Sequence, residues 1–242
     1  MRILSTHLIV IMSILSCSVR ADDPVALEFR DDFDGKYDDE WTIINENARN
    51  ISLTKNSGML TITAERGGIW GGATSARNIF LIDTPMRSGN FVMTTRIVGF
   101  DPKQNYEQAG LICFNDVDNY VKFDLEFDST NGGRTLAVVP EIDGQDLDDT
   151  TLKVKHAEPE MWLRLVLYHD KYIFSASRDG KKFRTISRQT IELDYPAMVG
   201  IITQSRVGGG PPDVEVQFDL FEIAPLESKP ELIELIEAEM TF

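Results

Sequence analysis

Three carboxylates alternate along one short segment and are the side chains best spaced for chemistry. Asp124, Glu126 and Asp128 occupy every second position near the end of the segment Asn119–Asp128. Alternate side chains of a β-strand point to the same face and lie about 6.6 Å apart. Glycosidases use two carboxyl groups about 5–10 Å apart, one as nucleophile or base and the other as general acid. This carboxylate stripe therefore has the spacing of a glycosidase pair, Asp124 with Asp128 or Glu126.

Two other interpretations of the carboxylate stripe stay open at the level of sequence. Together with Lys122, the stripe could form a face that hydrogen-bonds a sugar without cutting it. It could also be an ordinary solvated strand face, because 39 of the 242 residues are acidic. In that case Arg96 and Arg164, at matching positions of other predicted strands, would pair with the carboxylates.

Aromatic residues near the stripe are candidates for stacking on sugar rings. Trp70 stands in a glycine-flanked loop, where an exposed ring keeps an unsatisfied apolar face, and Tyr106 and Tyr120 follow. The alternative for Trp70 is packing against the edge of the fold. The residues predicted to contact a glycan are Trp70, Tyr120, Lys122, Asp124, Glu126 and Arg164.

A second acidic group is a candidate for binding a metal. Asp31, Asp34 and Asp219 come from the first and last predicted strands, which we expect to lie side by side. Carboxylate oxygens are the ligands that Ca²⁺ prefers, so these three are candidates to bind a structural Ca²⁺. The alternative is a solvated acidic edge. No other pattern in the chain calls for a cofactor.

Charge and residue counts exclude several functional classes. The chain has 24 basic and 39 acidic residues, a formal net charge of −15, which disfavours binding to nucleic acid. With two cysteines and three histidines, clustered Cys/His zinc sites are excluded. No G-x-S-x-G elbow of a serine hydrolase occurs. Cys113 lies in an apolar run, which predicts a buried, unreactive thiol.

The first 21 residues have the pattern of a secretory signal peptide. A basic start precedes the apolar run Leu8–Leu15, which is too short to span a bilayer, and Val19-Arg20-Ala21 offers a cleavage site. We therefore predict a secreted or periplasmic protein without a transmembrane segment. Cleavage after Ala21 removes two arginines and no acid, leaving 22 basic and 39 acidic residues, a net charge of −17. The alternative is a lipoprotein anchored at Cys17.

The remainder of the chain predicts an all-β fold. From Val25 to Leu226, period-two alternation is interrupted by turn residues such as Asp143-Gly144 and Asp179-Gly180. About a dozen strands without an intervening helix indicate one antiparallel β-sandwich domain over residues 22–226. The tail, 227–242, begins with a capping pattern and predicts a short amphipathic helix at about 230–239. That helix either packs on the sandwich or docks a partner protein.

Several segments, in order, resemble one known family. The chain resembles the concanavalin A-like β-sandwich at the C-terminus of β-xylosidases, and is similar to related stand-alone domains of unknown function once linked to enolase regulation. The resemblance covers about residues 28–224. The segments that carry it are Phe29–Gly35, Trp41, Ala76–Leu81, Gly89–Ile97, Tyr106–Lys122, Trp162–Leu165, Ser175–Lys181, Val199–Ile201 and Val216–Phe221.

The resemblance implies a two-sheet jelly roll whose concave face can hold glycans, usually as an accessory to a catalytic domain. The carboxylate stripe also resembles the Glu-x-Asp-x-(x)-Glu strand motif of concanavalin A-like glucanases. Here both outer acids, Asp124 and Asp128, are one methylene shorter. We therefore expect a secreted, non-catalytic carbohydrate-binding module. The alternatives are a glycoside hydrolase using Asp124, Glu126 and Asp128, and a protein–protein interaction module.

Overall fold

The computed structural model describes residues 28–86, 89–147, 152–155, 157–205 and 214–240. The predicted signal peptide, including Cys17, lies outside these ranges, so it stays a prediction. The first eight strands are β1 (Phe29–Asp31), β2 (Thr42–Ile44), β3 (Ile51–Ser52), β4 (Leu60–Ala64), β5 (Ile79–Asp83), β6 (Phe91–Val98), β7 (Gln108–Asp116) and β8 (Asn119–Asp128). The next eight are β9 (Gly133–Ile142), β10 (Gln145–Asp146), β11 (Leu152–Lys155), β12 (Met161–Tyr168), β13 (Lys171–Ser177), β14 (Arg184–Thr190), β15 (Met198–Gln204) and β16 (Val214–Pro225).

These strands form two sheets, in which neighbouring strands pair antiparallel. Sheet I has the order β14-β13-β12-β6-β16-β4-β3, and β1 also pairs with β16. Sheet II has the order β10-β9-β8-β7-β15-β5-β2, and β11 also pairs with β9. One α-helix, α1 (Pro230–Met240), follows the last strand. The predicted all-β sandwich of two antiparallel sheets with a short C-terminal helix is confirmed.

The main core fills the space between the two sheets. On β8, Val121, Phe123 and Leu125 point inward and are fully buried, as the alternation predicts. They meet inward side chains of sheet I such as Phe174. The ring centroids of Phe123 and Phe174 lie 5.4 Å apart. Burying an aliphatic or aromatic side chain of this size stabilises the fold by about 1.5–3 kcal/mol. The predicted inert thiol, Cys113, is also fully buried here, and burial raises its pKa.

The outer face of sheet II is buried as well. A second apolar cluster on that face includes Ile112, Tyr120 and Ile202. It is covered by Ile69 and Ala76, which come from the segment between β4 and β5. We call this segment, residues 65–78, the covering loop. The middle strands of sheet II are therefore shielded from water on both faces.

Helix α1 packs on the outer face of sheet I. Ile236 is 4% exposed and joins Val166 and Ile173 in a third apolar cluster. The Tyr168 hydroxyl donates a hydrogen bond of 2.7 Å to Glu237 of the helix. The helix thus lies on the sheet face, and its apolar side is occupied by the sandwich. Within the ranges given above, no helix is both long and apolar enough to cross a membrane.

The packing of α1 can be tested with two neighbouring substitutions. Ile236→Ala should lower the free energy of unfolding by about 2–4 kcal/mol, because it leaves a cavity against sheet I. Leu235, which is 49% exposed, provides the matched control, and Leu235→Ala should change stability by no more than about 0.5 kcal/mol. Denaturant titration of both variants measures the difference. Equally small losses for both would show that the helix does not pack as described.

Candidate functional site

The carboxylate stripe lies on the outer face of sheet II, in the middle of the sheet. Strand β8 pairs with β7 on one side and β9 on the other. Its outward row begins with Tyr120, Lys122, Asp124 and Glu126, which are 0%, 1%, 0% and 0% exposed. The interpretation of this row as a solvated face is therefore wrong, because the outer face is covered. A row of charged groups without water requires partners within the protein.

An amide side chain connects the charges of this row. The Lys122 ammonium donates to the Gln108 side-chain oxygen at 2.8 Å and lies 4.0 Å from an oxygen of Asp124. The Gln108 side-chain nitrogen donates to Glu126 at 2.5 Å, and Gln204 donates to the Gln108 oxygen. Within one buried polar network, Gln108 thus accepts a hydrogen bond from the Lys122 ammonium and donates one to the Glu126 carboxylate. Such a network holds its members in fixed positions.

The third carboxylate of the stripe has a different task. Asp128 accepts hydrogen bonds from the backbone nitrogens of Thr130 and Asn131, at 2.8 and 3.3 Å, and from the Asn131 side chain at 2.8 Å. These bonds cap the short 3₁₀-helix Ser129–Asn131. A hydrolytic pair must touch its substrate, but Asp124 and Glu126 are fully buried and Asp128 serves as a cap. The geometry therefore favours structural roles for all three.

One exposed tryptophan stands on a turn that is fastened to the sheet. Trp70 begins the 3₁₀-turn Trp70–Gly72 of the covering loop and is 47% exposed. Gly71 and Gly72 have φ angles of 60° and 73°, left-handed conformations that favour glycine. Their backbone nitrogens point at the carboxylate of Glu141 on β9, at 3.0 and 3.4 Å. Successive backbone N–H groups that converge on one anion form an anion-binding nest, and here this nest fastens the turn to β9.

Glu141 is the functional residue that the sequence analysis missed. It is fully buried and also accepts a hydrogen bond of 2.9 Å from the Tyr120 hydroxyl. Burial and the neighbouring Glu141 charge raise the pKa of Tyr120, so its phenol stays protonated and donates. Tyr120 supports the Trp70 turn through this hydrogen bond to Glu141. Its ring is fully buried and therefore offers no surface for stacking on a sugar. Only the register between β8 and β9, which pairs Tyr120 with Glu141, reveals the connection.

Arg164 does not join the other predicted contact residues. It lies on β12 of sheet I, where its guanidinium sits 3.5 Å from the centre of the Phe183 ring. Burial lowers its pKa, although the charges of Glu222 and Glu231 oppose this. Arg96, also on sheet I, pairs with Asp219 at 2.8 Å. Neither arginine pairs with the carboxylate stripe, because the two sheets are separated by the main core.

The three predicted calcium ligands also lie in separate surroundings. Asp31 accepts hydrogen bonds of 2.8 Å from the backbone nitrogens of Phe33 and Asp38 and from the Trp41 indole. Asp219 is held by an arginine, and Asp34 is exposed on its turn. In the part of the chain that the structure describes, no three His, Cys, Asp or Glu side chains are arranged to hold a metal ion. The first and last strands are neighbours, but these carboxylates do not converge.

Comparisons with known proteins place this geometry in context. The family model of the β-xylosidase C-terminal concanavalin A-like domain matches residues 30–224. No curated protein matches the chain. Among solved structures, the GH43 BlXynB protein of Bacillus licheniformis is similar with a TM-score of 0.68 and 23% identity, over 81% of this chain. Xylan β-1,4-xylosidase of Bacillus halodurans gives 0.64 and 17%, also over 81%.

The chain spans only 39% and 38% of the lengths of these two proteins. A β-1,3-glucanase of Mycobacterium marinum is also similar, with a TM-score of 0.53 and 18% identity, over 81% of this chain and 97% of that protein. At such identities the likeness shows a common fold. The same sandwich thus occurs both in a part of two larger proteins and over nearly the whole of a glucanase chain.

The role of Glu141 in holding the Trp70 turn can be tested by hydrogen exchange. Glu141→Gln removes the charge that Gly71 and Gly72 contact, so their amides should exchange about ten- to a hundredfold faster. Glu107→Gln is the matched control, because Glu107 is also buried and accepts from the backbone nitrogens of Lys103 and Gln104. That variant should loosen residues 103–107 and leave the Trp70 turn unchanged. Unaltered exchange at Gly71 in Glu141→Gln would contradict the assignment.

Proposed function

Because the chain belongs to the β-xylosidase C-terminal concanavalin A-like domain family, we propose that it is a carbohydrate-binding module that holds a glycan without cutting it. The observation that carries this proposal is the exposed Trp70 ring on its fastened turn. An aromatic ring offers a large apolar face at a low cost in conformational entropy, and a rigid mount lowers that cost further. The ring is therefore prepared to stack on a sugar.

The position of other exposed apolar groups supports Trp70 as the main contact. In the described residues, the other exposed large hydrophobic side chains are Tyr106 and Leu235. Leu235 lies on α1, beyond the opposite sheet. The backbone nitrogen of Tyr106 donates to the Phe127 carbonyl, at the far end of β8 from Tyr120. Seven residues of strand, about 23 Å, separate these ends, so Tyr106 is a second stacking candidate at a distance.

In this proposal the buried charged side chains of β8 act indirectly. Lys122, Asp124 and Glu126 stabilise the covered face on which the covering loop rests, instead of touching the sugar themselves. Their complete burial is the reason why binding without hydrolysis is favoured over the glycosidase alternative. No comparable observation favours a docking role for α1, since its apolar side packs on sheet I.

We also propose that the protein is exported. The apolar run and cleavage site in residues 1–21 support export, to the periplasm or outside the cell, where the module would meet polysaccharides. A net charge of −17 after cleavage at Ala21 would keep the exported protein soluble.

Substitution of Trp70 tests the binding proposal. Trp70→Ala should abolish retention on insoluble xylan and β-glucan, because the stacking surface is lost, while the unfolding temperature stays close to that of the parent. Leu235→Ala removes an equally exposed apolar side chain elsewhere and should bind normally. Pull-down of each variant with the insoluble polysaccharides measures both. Retention that persists in Trp70→Ala would contradict the site, and release of reducing ends by the parent would contradict the non-catalytic role.

Processing of the N-terminus tests the location. Expression of the full chain in a bacterial host with a secretion pathway should yield an exported protein that begins at Asp22, as cleavage after Ala21 requires. Intact-mass spectrometry of the periplasmic fraction and medium identifies this end. Replacing Ala21 by a bulky residue, as in Ala21→Phe, should block cleavage at that bond. A lipid-modified N-terminus at Cys17 would support the lipoprotein alternative instead.

A further inference from the structure

A cleft opens between the two sheets at one edge of the sandwich, away from the Trp70 turn. It has a volume of about 450 Å³, within the range of about 300–1,000 Å³ that suits small ligands. Its floor is apolar and comes from both sheets, with Leu136 on β9, Met161 on β12, Ala176 on β13 and Ile186 on β14. Small apolar groups can therefore be desolvated at the bottom of this cleft.

The rim of the cleft carries more positive than negative side chains, although the protein as a whole is acidic. Its charged lining residues are Arg178, Lys182 and Arg184 together with Glu158 and Asp179. Arg178 is paired with Glu158 at 2.6 Å across the rim. In the described structure, the side chains of Lys182 and Arg184 make no ion pair and no hydrogen bond, and both are exposed. Two cations are thus available to a ligand.

The turn that presents these cations is held in a defined shape. One oxygen of Asp179 accepts hydrogen bonds of 2.9 Å from the backbone nitrogens of Lys181 and Lys182. These bonds lower the pKa of Asp179 to about 2. The charge of Asp179 is therefore committed to its own turn. Gly180 packs on the Trp162 ring so closely that a Cβ atom there would lie 2.7 Å from it.

The chemistry of floor and rim identifies the class of ligand. A guanidinium group binds a carboxylate with two parallel hydrogen bonds, and an ammonium adds a second positive charge. An apolar floor suits the C–H face of a sugar ring. Distant acidic residues oppose an anion only weakly, because charges beyond about 10 Å are largely screened at 0.1 M salt. We propose that this cleft binds a carboxylated sugar, a uronic acid unit of a glycan, through Lys182 and Arg184.

The choice of a sugar over an acidic peptide rests on the proposed function, whereas the cationic cleft itself does not. The site is distinct from the Trp70 turn and would act as a second contact for a glycan that carries acidic units. Two such contacts on one chain would raise the apparent affinity for a polymer through effective concentration.

Calorimetry with a matched pair of trisaccharides tests the proposal. The parent protein should bind trigalacturonate at least about tenfold more tightly than the same trimer with its carboxyl groups reduced, because the charged contacts disappear. The double variant Lys182→Ala/Arg184→Ala should lose at least about tenfold in affinity for trigalacturonate. Lys36→Ala/Arg49→Ala makes the same change in net charge at exposed positions elsewhere and should stay within about twofold. Circular dichroism of each variant verifies folding.

Two arms separate the failure of this proposal from failure of the binding proposal. Trp70→Ala should keep its affinity for trigalacturonate even though it no longer binds neutral polysaccharides, since the two sites are separate. Triglutamate should bind at least about tenfold more weakly than trigalacturonate. Equal affinity for the charged and reduced trimers, or an equal loss of affinity in both double variants, would overturn the proposal that the cleft binds a carboxylated sugar. If triglutamate binds as tightly as trigalacturonate, the ligand class is an acidic peptide instead of a sugar.

Discussion

The need to bury a polar row on the outer face of sheet II governs the rest of this structure. Strand β8 lies between β7 and β9, and its outward side chains include Lys122, Asp124 and Glu126. Removing such groups from water costs several kcal/mol each unless bonds inside the protein replace the lost hydration. Gln108 supplies part of this replacement, since its amide can accept from the cation and donate to a carboxylate at once.

The covering loop shields the same outer face of sheet II through apolar contacts. Once Ile69 and Ala76 close over the outer apolar cluster, the chain between them must turn outward. Glu141, fixed by Tyr120 below, offers its carboxylate to the backbone of that turn. The ring of Trp70 is left in solvent as a result. The loop that covers this face thus also carries the exposed group on which binding is proposed to depend. The proposed acidic-sugar cleft lies at a separate edge where the sheets part.

Much of the fold could be predicted from the sequence, because the signals involved are local. The alternation along β8 correctly predicted that Val121 and Phe123 enter the core. The pattern after Ser228 predicted a helix at about 230–239, and α1 is Pro230–Met240. The candidate site was harder. Arg164 has the right parity on its own strand, but parity does not tell which sheet a strand joins, and β12 belongs to sheet I. Likewise Asp31 and Asp219 come from neighbouring strands, yet their side chains have different partners.

The sequence by itself determined the fold class, the family resemblance and the inward or outward parity of each strand. These features depend on residue type and on a period of two, and both can be recognised within a short segment of sequence. Only the tertiary structure decided that the outward face of β8 is covered, and that Glu141 holds a turn 70 residues earlier in the chain. The physical reason is that burial and hydrogen bonding are set by which distant segments meet. A carboxylate on a strand has the same sequence pattern whether water or a folded loop lies above it.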